Sequence, residues 1–272
     1  MNWNKRLLNT PIIGGITKKF ASIKVNHAAN KISEHFTQFL EPQVAINNTL
    51  KNEAFRIRHN VYCEELAFEE TKEGGLEKDE FDEQSVFSLI KHKPSNQYTS
   101  CVRMVKINKP YQLLPIEKYC LKSITNEELH PKNFNRNEIC EISRLAVKAD
   151  FRRRKTDKFK GSATGVIQEH IYSEVELRCF PFIAIGLYMA AATMAIDSGL
   201  KHAYVMMEPR LARSMKFVGI KFEQLGDPIE YHGLRAPYYI NPEMFLNNLS
   251  PGFKNLYKAI EGNIGEQLKE LA

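Results

Sequence analysis

Glu138-Ile139-Cys140-Glu141-Ile142-Ser143-Arg144-Leu145-Ala146-Val147 is an apolar run broken by Glu141, Ser143 and Arg144. Its composition reads as a central β-strand. Strict alternation sets Glu141, Ser143, Leu145 and Val147 on one face and Ile142, Arg144 and Ala146 on the other. An acid and a hydroxyl on one face, with a guanidinium opposite, cost desolvation energy that packing alone does not return. Such a strand needs at least one salt bridge, or it carries chemistry. A basic segment and then a helical stretch follow it, so a ligand site is expected at the strand's end.

Working outward, His27 to Leu40 reads as a short amphipathic helix and Val44 to Asn47 as a brief strand. Asn48 or Thr49 is the expected cap of the next helix, over residues 50 to 66, whose Leu50, Ala54, Ile57 and Val61 form one buried stripe. Glu69 to Glu83 is an acidic loop. Ser85 to Lys91 and Tyr98 to Ile107 are strands joined through Pro94, Ser95 and Asn96. Residues 108 to 135 are irregular or weakly helical. Beyond the central strand, a helix is expected near Ser162 to Leu177 and an apolar helix from Phe182 to Ser198, ended by Gly199. Strands at His202 to Met207, Lys221 to Leu225 and Ile229 to Ile240 surround a helix from Glu208 to Val218, and the tail from Pro242 is mostly helical. The order implies an α/β (α+β) sheet with helices on both faces. It divides into a helical extension over 1–42, a core domain over 43–241 and a second helical extension over 242–272.

The 272 residues are 43% hydrophobic and 26% charged, which suits a globular core and not a disordered chain. The five cysteines, Cys63, Cys101, Cys120, Cys140 and Cys179, contain no CxxC pair, so neither a zinc site nor a disulfide scaffold is supported. Scattered reduced thiols fit a cytoplasmic protein, and no metal is expected. Phe180 to Ile196 is uncharged but short for a membrane span, and reads as a buried helix. An apolar patch from Pro11 to Ile16 among Lys5, Arg6, Lys18 and Lys19 suggests a peripheral contact with the inner membrane as a second expectation. The net charge of +6 divides unevenly: Glu64 to Glu83 carries −8 and Lys148 to Lys160 carries +5.

Four further features carry chemistry. Arg58 and Tyr62 share a helix face, ahead of Phe68. Asp79 and Asp82, in Gly75-Leu-Glu-Lys-Asp79-Glu-Phe-Asp82, are either solvated or meet arginines; the spacing fails the EF-hand pattern. Arg103 lies among apolar strand residues and so demands an acidic partner. The basic run with Arg152, Arg153, Arg154, Lys155, Lys158 and Lys160 suits a phosphate or an acidic partner protein. It has no aromatic interleaving, so no nucleic-acid partner is expected.

Together these motifs resemble the acyl-homoserine-lactone autoinducer synthases and their relatives. Arg58, Tyr62 and Phe68 resemble the Arg–Phe–Trp motif of that family's first helix. Gly75 to Asp82 is similar to its G-(L/M)-E-x-D-x-(Y/F)-D, Arg103 to its strand Arg, and Glu141-Ile-Ser143-Arg144 to its E-x-S-R. Phe68 stands where the family has Trp. The later segment, with Glu208-Pro-Arg-Leu-Ala-Arg213 and Gly226 to Tyr238, looks more like the PEP-CTERM/exosortase-associated acyltransferases, which are similar to N-acyl amino acid synthases.

The resemblance implies a GNAT-like acyltransferase fold, with a central mixed, mostly antiparallel sheet flanked by helices. It implies a long-chain acyl donor on acyl carrier protein or coenzyme A, no permanently bound cofactor, and an amine acceptor such as an amino acid. Arg58, Arg103, Arg144, Asp79 and Asp82 would form one ionic cluster on the side away from the substrates. Glu141, as general base, and Ser143 would face the thioester and the amine. Tyr62, Phe68, Ala146 and Val147 would border the acceptor or acyl pocket, with an oxyanion donor near Ala146 or Val147. Arg152, Arg153, Arg154, Lys155 and Lys158 would meet the donor's phosphate and the carrier's acidic surface. The alternatives are an autoinducer synthase, a covalent mechanism through Cys63 or Cys140, and a non-catalytic module that binds anionic surfaces or nucleic acid.

Overall fold

The computed structural model describes residues 32–152, 182–216 and 218–270. The N-terminal patch, the helix expected near 162–177, Cys179 and the basic residues Arg153, Arg154, Lys155 and Lys158 lie outside them.

A helix over 32–39 leads into strand β1 (Leu40–Val44). Helix α1 (Asn48–Arg58) follows, and its cap is Asn47, whose side chain accepts from the Leu50 N–H at 3.0 Å. The chain is therefore already in β1 before the stretch expected as a strand, and the cap lies one residue earlier than expected. After Arg58 the helix widens into a π-helical turn, His59–Glu65, in which Leu66 N–H donates to the Val61 carbonyl five residues back. Strands β2 (Ser85–His92), β3 (Gln97–Lys106) and β4 (Ile139–Val147) come next, with the short helix α2 (Pro115–Tyr119) between β3 and β4. The apolar helix α3 (Ile183–Asp197) crosses over to β5 (His202–Met207). Helix α4 (Pro209–Lys216) precedes β6 (Glu223–Gln224), β7 (Ile229–Glu230) and β8 (Leu234–Ile240). Helices α5 (Pro242–Asn248) and α6 (Pro251–Lys269) close the described chain. The single strand expected over 229–240 is a hairpin, because His232 (φ 49°) and Gly233 (φ 92°) take left-handed backbone and turn the chain.

The sheet order is β1-β2-β3-β4-β5-β8-β6, with β7 on β8. All pairs are antiparallel except β4 and β5. A parallel pair needs a long crossover, and the segment containing α3 supplies it. Helix α3 is apolar on every side and mostly buried, packed between the sheet and α6. Gly186 lets Phe36 approach: a Cβ there would lie 2.5 Å from the Phe36 ring. Leu256, Ile260 and Ile264 of α6 share one buried cluster with Leu187 and Met189 of α3 and with Cys140 and Ile142 of β4. Gln267 of α6 also pairs the edge strand β1, accepting from Val44 N–H at 2.7 Å and donating to the Pro42 carbonyl at 3.1 Å. The opposite face of the sheet carries two further apolar clusters and the polar residues described next.

Candidate active site

The period-two pattern of β4 holds only as far as Ser143. Ile139 enters the cluster with Leu114 and Ile116, whereas Cys140 and Ile142 enter the α3 cluster on the other face. Arg103 then pairs with Ser143 but Cys101 with Ala146, so β4 holds an extra residue. Arg144 absorbs it, with φ 51°. Past this bulge the faces exchange. Ala146 joins the cluster of Ala54, Phe87 and Cys101, and Val147 joins the α3 cluster. The placement of Val147 with Glu141, and of Arg144 opposite them, is thereby corrected: Val147 lies behind the sheet and the Arg144 guanidinium lies among the acids in front of it.

Those acids and three arginines form one network. Arg58, wholly buried, pairs through Nε with Glu77 and through Nη1 with Asp82 at 2.6 Å. Arg103, 1% exposed, holds Asp79 at 2.5 Å and Asp82 at 2.7 Å. Arg144 meets Glu69 at 3.0 Å, Asp79 at 3.3 Å and Glu77 at 3.4 Å. The acidic loop thus folds down onto the sheet, where each buried charge finds its counter-charge. Burial pushes the Asp79 carboxyl up, but the guanidinium of Arg103, with those of Arg58 and Arg144, outweighs it and holds Asp79 below the ordinary range. Glu77 and Glu69 complete the network and were absent from the expected cluster. Glu77 sits in the quoted Gly75–Asp82 motif; nothing in the spacing of Glu69 distinguishes it from its acidic neighbours.

The expected cluster is assembled, but not on a separate side from Ser143: Arg103 Nε donates to Ser143 Oγ at 3.1 Å. Glu141, two residues before Ser143 on the same stretch of β4, is different in kind. It is 2% exposed, and among the described residues it has no ion pair. Its Oε2 accepts the Ile116 N–H at 2.6 Å, at the start of α2. Burial pushes its pKa from 4.5 up to about 8, against the opposing pull of that N–H and of Arg103 and Arg144.

A gap opens beside Glu141. Strands β4 and β5 pair only over Ile139–Glu141 and His202–Tyr204; each then runs on without the other, and β5 stays with β8. Tyr62, on the π-helical turn, pins the bulged edge by donating its hydroxyl to the Leu145 carbonyl at 2.8 Å. Burial pushes that hydroxyl up to about 12, so it remains a donor. Phe68 lies 5.7 Å from the His232 ring, on the turn before β8. Behind the gap, on the α3 face, a small apolar cavity of about 50 Å³, partly open to solvent, is lined by Cys140, Ile142, Tyr188, Ala191, Ala195 and Val205, among others. None of the four expected pocket residues, Tyr62, Phe68, Ala146 and Val147, lines it. The usable signal was the opposite parity of β4 together with the small residues Ala190–Ala192.

Arg152 does not offer the exposed charge expected of it. It is 3% exposed and paired with Glu65. Its neighbour Phe151 is buried in the α3 cluster. Cys101 and Cys140 are pushed up to about 12 and Cys120 to about 11, chiefly by burial, so none offers a thiolate at neutral pH. Among the described residues, no three His, Cys, Asp or Glu side chains are grouped to hold a metal, and no helix is long and apolar enough to cross a membrane.

Residues 57–160 match the sequence profile of the family described as an acetyltransferase (GNAT) domain, which supports an acyltransferase. Solved structures share most of the fold at low identity. TofI, in a ternary complex with an inhibitor and MTA, superposes with a TM-score of 0.54 and 15% identity, over 79% of this chain and 96% of its own. BjaI, a CoA-dependent acyl-homoserine lactone synthase with SAM and isopentyl-CoA, gives 0.51 and 16%, over 84% and 89%. FeeM, an N-acyl amino acid synthase from uncultured soil microbes, gives 0.50 and 13%, over 77% and 94%. The expected GNAT-like fold is borne out. No curated protein sequence matches the chain significantly.

Proposed function

We propose that this acyltransferase moves a long-chain fatty acyl group from an acyl carrier protein thioester to the amine of an amino acid or similar small amine. The observation that carries the reading is Glu141. Each acid of the neighbouring network is matched by an arginine, whereas Glu141 is buried at the mouth of the β4–β5 gap without one. A structural carboxylate held that way is costly. A carboxylate with a pKa of about 8 is matched to an α-amino group, whose reference value in peptides is also about 8.

In this account the amine loses a proton to Glu141, directly or through water, and attacks the thioester carbonyl in the gap. The tetrahedral oxyanion is taken by a backbone N–H of the bulged β4 edge, near Ala146 or Val147. Collapse expels the thiolate and leaves an amide. Ser143, held by Arg103, orients the nucleophile or the water. The acyl chain passes through the gap toward the small apolar cavity behind it, whose α3 and β5 side chains move apart to admit a long chain. Direct attack is favoured over a covalent cysteine by the raised thiol pKa values. The carrier docks on the basic run beyond Arg152, whose charge favours an acidic partner. The structural neighbours include FeeM, an N-acyl amino acid synthase, and BjaI, an acyl-homoserine lactone synthase, and the sequence likeness of 226–238 to PEP-CTERM/exosortase-associated enzymes favours the amino acid branch.

The test is mass spectrometry of lipid extracts from cells making the wild type or Glu141→Gln. New N-acyl amino acids with the wild type, lost in the variant, support the reading and name the acceptor and the chain length. N-acyl homoserine lactones instead would select the autoinducer reading. No acyl amide from folded wild type rejects both.

A further inference from the structure

Arg235 is the guanidinium of this face that the ionic network does not use. It lies on β8 just after the His232–Gly233 turn, opposite Ile229. Its Nε is buried without a hydrogen bond, and its guanidinium stands over the Phe68 ring at 5.9 Å. Among the described residues no carboxylate pairs with it, whereas Arg58, Arg103 and Arg144 each pair with two or more acids. A ring contact fixes the plane of a guanidinium and leaves its edge for a partner. The hairpin that carries Arg235 packs against the elements that hold the site. Tyr231 stacks on Tyr119 of α2, the helix whose Ile116 N–H holds Glu141. His232 meets Glu69, the partner of Arg144, at 3.9 Å.

From this geometry we infer that Arg235 binds the carboxylate of the acceptor, so that the acceptor is an α-amino acid and not a plain amine. The inference rests on the acyltransferase reading and narrows it. A planar, half-buried guanidinium with no internal counter-charge suits a carboxylate, which it meets through two parallel N–H···O bonds. With the carboxylate held by Arg235, the amine on the adjacent carbon is presented toward Glu141 and the side chain is left to the rest of the cleft.

The test measures binding, so it does not depend on turnover. N-dodecanoyl glycine, tyrosine and lysine, each as free acid and as methyl ester, are titrated calorimetrically into the full chain, its Arg235→Gln variant and its Arg235→Lys variant, with folding checked by circular dichroism. For at least one pair, the wild type is expected to bind the free acid about tenfold or more tightly than the ester. Arg235→Gln abolishes that preference while ester affinity stays the same, and Arg235→Lys retains part of it. Equal binding of acid and ester by the wild type, binding of neither, or an equal loss of both in Arg235→Gln overturns the inference. A raised KM for the acyl carrier protein donor in Arg235→Gln, with the acid preference intact, assigns the side chain to the donor's phosphate and overturns it too. Acid-selective binding by a chain that forms no acyl amide would leave this assignment standing and reject the acyltransferase reading, so the two failures are distinguishable.

Discussion

At the scale of single residues, the site rests on a contrast between charges that are paired and one that is not. Arg103 is held between Asp79 and Asp82 and also donates to Ser143. Removing it takes the nearest partner from Asp79 and one of two from Asp82, which Arg144 and Arg58 still hold, so Arg103→Ala should cost about 3 kcal/mol in urea unfolding. Arg103→Lys should recover only part of that, because a lysine keeps the charge and loses the fork. A cost below about 1 kcal/mol for Arg103→Ala would mean that solvent, not the arginine, satisfies the acids. The need for these partners was legible from sequence: an arginine inside an apolar strand demands an acid, and an acidic loop with Asp79 and Asp82 lies just upstream. The burial of Arg152 was not legible, because a basic run looks solvated until Glu65 is known to pair with its first member.

At the scale of elements, two local irregularities build the cleft. The π-helical turn carries Tyr62, and the β4 bulge offers the Leu145 carbonyl that Tyr62 holds. Widened helical turns and strand bulges recur at functional sites because each re-aims side chains that regular geometry would point elsewhere. Tyr62→Phe removes the hydroxyl and leaves that carbonyl without its donor; about 1 kcal/mol of stability should be lost in chemical denaturation. If stability is unchanged, water replaces the hydroxyl and the pin is not structural. Helix, strand and loop were largely readable from the periodicity of 50–66, 85–91, 98–107 and 138–147. The bulge was not, because Arg144 is a non-glycine residue in left-handed backbone and strict alternation carries no sign of it. That one residue moved Val147 behind the sheet and brought the Arg144 guanidinium to the acids.

At the scale of the molecule, titration of the site should appear in stability. Glu141 has its folded pKa raised, to about 8 from 4.5, so the folded chain binds its proton more tightly than the unfolded chain. Its contribution is fully present below the ordinary value, falls as pH rises from 4.5 and is gone above about 8. Asp79 has the opposite sign: its contribution is present above its ordinary value and is lost as the solution is acidified through its lowered pKa. Unfolding free energies of the wild type and Glu141→Gln, compared between pH 5 and pH 9, should therefore diverge in the variant's favour as pH rises. Parallel curves would mean that Glu141 titrates near its ordinary value in the folded chain. The order of most strands and helices was legible from the motifs, though not the early start of β1 or the hairpin within 229–240. The apolar cavity was not, since it is assembled from α3, β4 and β5, which are distant in sequence.

The most direct test of the central claim is the pH dependence of kcat/KM for acyl transfer by the purified full chain and by Glu141→Gln, with an acyl carrier protein donor and the acceptor found in the extracts. The account predicts that wild-type activity rises through an inflection near pH 8. Glu141→Gln should lose that inflection and about 100-fold or more in rate, keeping only the ionisation of the amine itself. A folded Glu141→Gln chain that acylates within a few-fold of the wild type, with the same profile, would contradict the account and remove Glu141 from the chemistry.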